Sequence, residues 1–144
     1  MRWITILGLI LAVSASAVAY KETTIEEMAA HADAAPVGDR PALYIEIAER
    51  ELKMADEAYT AGKVDEGQKA VQNIVTYSEK AQDASVQSGK RLKGTEIALR
   101  KMSAKLKDMK RTLSFEDQAP VQAAADRLEA LRTDILQRMF GKGK

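Results

Sequence analysis

Residues 71–113 read VQNIVTYSEKAQDASVQSGKRLKGTEIALRKMSAKLKDMKRTL, and the spacing of their apolar and small positions decides the fold. Val71, Ile74, Ser78, Ala81, Ser85, Ser88, Leu92, Thr95, Leu99, Met102, Leu106, Met109 and Leu113 alternate steps of three and four without a slip. That is the period of one face of an α-helix. The phase is kept through Gly89 and Gly94, which predicts one element from about Val64 to Leu113, roughly 75 Å long at 1.5 Å per residue. The competing reading breaks it there. Each glycine costs about 1 kcal/mol relative to alanine in a helix, and Ser88, Gly89 and Gly94 together can form a turn. The middle of the seam is small and weakly apolar, so it should be the least stable part, whereas Leu99 to Leu113 is strongly hydrophobic.

Outward from this seam the same period recurs. Asp39 can cap a helix that accepts Pro41 in its first turn, with Tyr44, Ile47, Ala48, Leu52, Ala55, Ala58 and Tyr59 on one face up to Gly62. Gly62, Lys63 and Val64 make a tight turn, so the first helix and the next lie antiparallel. Ser114 to Gln118 reads as a second turn, because Ser114 and Asp117 are capping types and Pro120 is tolerated only in a helix's first turn. Val121, Ala124, Ala125, Leu128, Leu131, Ile135 and Met139 then give a last amphipathic helix ending near Gly141. No alternating run joined by a hairpin turn offers a strand. The expected class is all-α: antiparallel helical hairpins sharing one long central helix over residues 40–141, or a compact four-helix bundle if the glycine region turns.

The N-terminus carries an address. Arg2 precedes an uncharged stretch from Trp3 to Tyr20, and Ala17, Val18 and Ala19 offer the small residues a signal peptidase reads. The apolar heart, Ile4 to Val13, is about ten residues, whereas a stable bilayer anchor takes roughly 20. Residues 1–19 are therefore expected to be a secretory signal cleaved near Ala19, sending the chain to the periplasm or outside the cell. Residues 20–39, Ala-rich and closed by Pro36 and Gly38, read as a mobile N-terminal arm. Within it Thr24 and Glu27 have capping-box spacing, and Ile25, Met28, Ala29 and Ala32 form a narrow stripe whose helix needs docking to persist. Residues 142–144 are a basic tail.

Composition removes several chemistries. The 144 residues contain no Cys, one His and 5% aromatics. Disulfides, thiol nucleophiles, Cys-ligated metals, multi-histidine metal sites and base-stacking platforms are disfavoured accordingly. Of the 22 basic residues Arg2 leaves with the signal, so 21 face 21 acidic ones on the mature chain. Neither a nucleic-acid field nor an acidic tail is indicated.

The neutral sum hides two poles. Residues 46–66 carry seven acidic and three basic groups, whereas residues 90–111 carry nine basic and two acidic. Lys93, Arg100, Lys101, Lys105, Lys107, Lys110 and Arg111, with Lys90 and Arg91, interleave with the apolar seam and form a basic amphipathic helix. They are the candidate residues for binding an anion or an acidic partner. A solvated face is the plainer reading, and the segment lacks the aromatic anchors that would favour a membrane. Phe115 and Phe140, which flank the last helix, are expected in the core; their exposure would instead mark an interface.

Residues 58–74 hold one further pattern: Ala58, Tyr59, Gly62, Val64, Asp65, Glu66, Val71 and Ile74. In it the hairpin resembles half of a tetratricopeptide repeat. The resemblance implies helical stacking and protein-protein contact and transfers no catalytic residue. It departs at Gly67, where the family has Ala, and no second copy follows at about 34 residues.

Other motifs fail. The Gly62–Gly67 gap is followed by Gln68 and the Gly89–Gly94 gap by Thr95, so neither supplies the lysine of a phosphate loop. His31 four residues after Glu27 reads as a solvent-facing pair, and Glu46, Glu49, Glu51, Asp56 and Glu57 read as a solvated face. The expectation is an exported non-enzymatic helical protein acting in protein-protein interaction or self-association in the cell envelope, with no cofactor and no metal. The alternative is a binder of anionic envelope polymer, lipid headgroup or membrane surface through residues 90–111, nucleic acid being disfavoured.

Overall fold

The computed structural model describes residues 23–141; the expected signal at 1–19 and the basic tail at 142–144 lie outside the described residues. Thr24 starts α1 (Ile25–Ala34), its hydroxyl accepting from the Glu27 amide at 3.2 Å. Ten residues are too few to hold a helix in water unaided. The stripe on α1 supplies the support: Ala32 is fully buried with Tyr44, Ile47 and Ala81, and Ile25, Met28 and Ala29 pack against that cluster. The arm read from the sequence therefore contains a docked helix.

Four longer helices follow: α2 (Arg40–Thr60), α3 (Val64–Ser88), α4 (Leu92–Arg111) and α5 (Phe115–Phe140). Among the described residues all regular structure is helical, and the all-α class stands. α2 pairs with α3 and α4 with α5, and the two hairpins join through α3 on α5 and α2 on α4. Along the α3–α5 seam Arg127 meets Glu79 at 2.8 Å and Gln82 donates to Asp134. The partners ascend together on both helices, so α3 and α5 run parallel.

The long central helix is divided. Gly89 (φ 66°) and Arg91 (φ 60°) are both left-handed, and α4 starts afresh at Leu92. Gly89 takes that conformation without Cβ strain. The Ser88 hydroxyl donates to the Ala84 carbonyl at 2.7 Å and accepts from the Lys90 amide at 3.2 Å, closing the end of α3. Ser85 and Thr95 then share a buried hydrogen bond of 2.7 Å across the fold. The compact four-helix alternative is the arrangement adopted.

The second turn is also shorter than expected. α5 begins at Phe115, which leaves Pro120 sixth in the helix instead of in its first turn. Its ring removes the N–H that would meet the Glu116 carbonyl, a loss tolerable on an exposed residue. Gln118 offsets part of it by donating to the Leu113 carbonyl at 3.1 Å, and Ser114 donates to Asp117 at 2.8 Å.

The core is graded along the bundle. Leu99, Met102, Leu106, Leu128 and Ile135 fill the α4–α5 half, whereas Ser78, Ala81, Ala84 and Ser85 are the buried positions of late α3. At the α2–α3 turn, Gly67 accepts the Tyr59 ring directly on its backbone: a Cβ there would lie 2.9 Å from Cε2 and Cζ. Gly67→Ala is expected to cost about 1 to 2 kcal/mol by overpacking. Urea unfolding measures it, and an unchanged midpoint would contradict the contact.

Candidate functional site

The basic segment lies on α4, and its two flanks have different environments. On the side facing α5, Lys107 Nζ is 4.0 Å from Glu129, and Lys110 donates to Gln122 at 2.8 Å. Glu96, nearly buried, is held by Arg132 at 2.7 Å and approached by Arg100 at 3.9 Å, while Arg132 also meets Glu129 at 3.4 Å. This network gives the carboxylate inside the α4–α5 contact a close, hydrogen-bonded cationic partner, without which its burial would be costly. The Glu96 hydrogen bond raises the Arg132 guanidinium above its ordinary range. Arg111 pairs with Asp108 at 3.3 Å. Four of the seven candidates are thus occupied within the chain.

Lys93, Lys101 and Lys105 are exposed, and among the described residues no acidic group pairs with them. Lys101 lines an open groove of about 520 Å³ between α2 and α4, together with Ala42, Ile45, Glu49, Ile97 and Ala98. The acidic and basic poles therefore lie side by side, because α2 packs on α4. Sequence distance gave no hint of that adjacency.

Both terminal phenylalanines of α5 face water: Phe115 is 88% and Phe140 72% exposed. This corrects the expectation that they pack in the core. Their separation of 25 positions is close to seven turns at 3.6 residues each, so both stand on one stripe roughly 37 Å apart. The buried side of α5 is already filled by Val121, Leu128 and Ile135, leaving the phenylalanines outward.

The acidic run on α2 has one exception to its expected solvated character. Glu46, Glu49, Asp56 and Glu57 are exposed, but Glu51 is only 3% exposed. Its Oε1 accepts from Asn73 Nδ2 at 3.1 Å, and burial raises its carboxyl above the usual range more than that hydrogen bond lowers it. The signal was legible: Ile47, Glu51 and Ala55 follow at steps of four, so a charged residue occupies the buried stripe.

Beside Glu51, Asp33 on α1 accepts from the Tyr44 hydroxyl and lies 4.0 Å from Lys80 Nζ. Lys80 also stands 5.5 and 5.6 Å from the Tyr44 and Tyr77 ring centres. His31 and Glu27 are both exposed, and among the described residues no group of His, Asp and Glu has the geometry of a metal site. Nor is any described helix long and apolar enough to cross a membrane. No protein-family model, no curated protein and no solved structure matches the chain.

Proposed function

We propose that this chain is an exported, non-enzymatic helical protein of the cell envelope that works through protein-protein contact or self-association. The observation that carries the reading is the pair of exposed phenylalanines on the outward stripe of α5. Large aromatic side chains left in water on one face are anchors that become favourable when a partner desolvates them. Export rests on the charged, apolar and small-residue order of residues 2–19. Phe115→Ser with Phe140→Ser is expected to abolish specific capture from envelope extract, or to convert an associated sedimentation profile to a monomeric one, with helicity unchanged. Failure of the unaltered protein to retain any specific partner, together with a strictly monomeric profile, would refute the reading.

The unpaired lysines favour a second reading, binding of an anionic polymer or headgroup by α4. Such affinity falls as salt rises, in proportion to the number of contacts. The variant Lys93→Gln/Lys101→Gln/Lys105→Gln is expected to weaken binding to a heparin column and flatten its salt dependence, whereas Lys107→Gln has the smaller effect because Lys107 already faces Glu129. Equal elution of both variants and the parent would remove this reading.

A further inference from the structure

Glu51 borders an open cavity of about 900 Å³ lined by α1, α2 and α3. Its apolar lining is Ile25, Ala29, Met54 and Ala70, with the Tyr77 ring as the aromatic member. Met54 is 44% exposed, so part of this lining is apolar surface open to water. The charged groups around the cavity are Glu26, Asp33, Glu51 and Glu66 against Arg50 and Lys69. Arg50 is engaged elsewhere, donating to the Thr23 carbonyl and the Met28 sulfur. The charges of Lys69 and Arg50 both act on Glu51, but two cations face four acids, and Lys69 forms no ion pair with Glu51 among the described residues.

The acidic rim alone would be a solvated edge. What distinguishes the site is the carboxylate within it: Glu51 is almost completely buried, Asn73 occupies Oε1, and among the described residues no donor reaches Oε2. A mostly buried carboxylate whose second oxygen still opens on the cavity can take a cationic donor there, because a charge-assisted hydrogen bond compensates its reduced hydration. Asp33 has the Lys80 ammonium at 4.0 Å, beside the tyrosine rings that Lys80 overlies.

We propose that the cavity between α1, α2 and α3 binds a primary ammonium group on a short apolar stem, anchored by Glu51 Oε2. The stem lies along Ala29, Ala70 and Met54. Two sources share this chemistry, a free alkylamine and a lysine side chain of a partner protein; the second rests on the interaction reading above, and the first is independent of it. Burial raises the Glu51 carboxyl, and an arriving ammonium would lower it again, so ligand and carboxylate stabilise each other's charged forms.

The test is an amide NMR titration of the full chain with n-butylammonium chloride and, separately, with a short lysine-containing peptide, each against sodium chloride at equal ionic strength. Saturable shifts at Ala70, Asn73 and Tyr77 are expected. Glu51→Gln keeps the Asn73 contact and the side-chain shape, and should weaken binding about tenfold or more. Lys69→Gln, which removes a like charge from the rim, should tighten binding about twofold. Saturation by both probes supports the ammonium site; saturation by the peptide alone, lost in Glu51→Gln, supports it as a lysine pocket. Absence of saturation with either probe, or equal binding by parent and Glu51→Gln, overturns the proposal. Loss of partner capture in the phenylalanine variant leaves the butylammonium result unaffected, so the two readings fail separately.

Discussion

Leu128→Ala is expected to lower folding stability by about 3 to 4 kcal/mol, the largest effect of any single substitution considered for this chain. Leu128 is fully buried on α5, in the cluster that holds Leu99, Met102, Leu106 and Ile135. Truncation removes the transfer free energy of three carbons and leaves a void that helices locked on both flanks cannot close. A domain of this size has about 5 to 15 kcal/mol in total, so the loss is about a fifth of it or more. Ser85→Ala is the contrast. It deletes one partner of the Ser85–Thr95 pair and leaves the Thr95 hydroxyl buried alone, at a cost of about 1 to 2 kcal/mol. Urea unfolding at constant slope measures both. A Leu128→Ala loss no larger than the Ser85→Ala loss would mean that the apolar half of the bundle is not its stable half. The result bears on function, since α5 presents Phe115 and Phe140 outward only while its inner face is held.

The helices themselves were legible because period survives without knowledge of tertiary contacts. Val71 to Leu113 keeps one phase, and every seam position from Val71 to Met109 is buried except Ser88 and Leu92, which flank the chain reversal and are half-buried. The reversal was not fixed by that phase. Two helices that bury the same seam on either side of a turn have the same period as one continuous helix. The difference lies in a single backbone choice at Gly89, reinforced by a nearby left-handed Arg91.

The candidate site was less legible. The charge run 90–111 was visible, and so was the i,i+4 spacing of Glu96 and Arg100, but the partners of Lys107 and Lys110 depended on Glu129 and Gln122 arriving from α5. Glu51 was readable in principle, as a charge at the buried step between Ile47 and Ala55. The phenylalanine stripe required the true start of α5, and a helix beginning after Gln118 would have left Phe115 in a turn. The parallel packing of α2 on α4, which sets the poles side by side, has no local sequence signature.

Raising the pH is expected to release α1 before the rest of the bundle unfolds. The Tyr44 hydroxyl is pushed up from 10.0 to about 12, first by burial, then by its hydrogen bond to Asp33 and that residue's charge, with Arg40 opposing. Tyr77 is also raised, by burial and by Glu51, Asp33 and Glu26, and Tyr59 by burial and Asp117. Each phenol is therefore harder to ionise in the folded chain than in the unfolded one. Their stabilisation is complete below about pH 10 and is lost as the pH rises through the folded values, near 12 for Tyr44. For Tyr44 the loss amounts to roughly 2 kcal/mol at a pH above both values, reduced somewhat because Asp33 is solvent-exposed. Lys80, which overlies both rings and faces Asp33, belongs to the same contact. Tyr44→Phe separates the two contributions. It should cost about 1 kcal/mol at neutral pH, for the lost hydrogen bond, and then decline less steeply, so that its stability passes that of the parent at high pH. Amide exchange across residues 25–34 reports the release of α1 directly. Parallel decline of parent and variant from pH 9 to 12 would show that Tyr44 does not hold α1 in place.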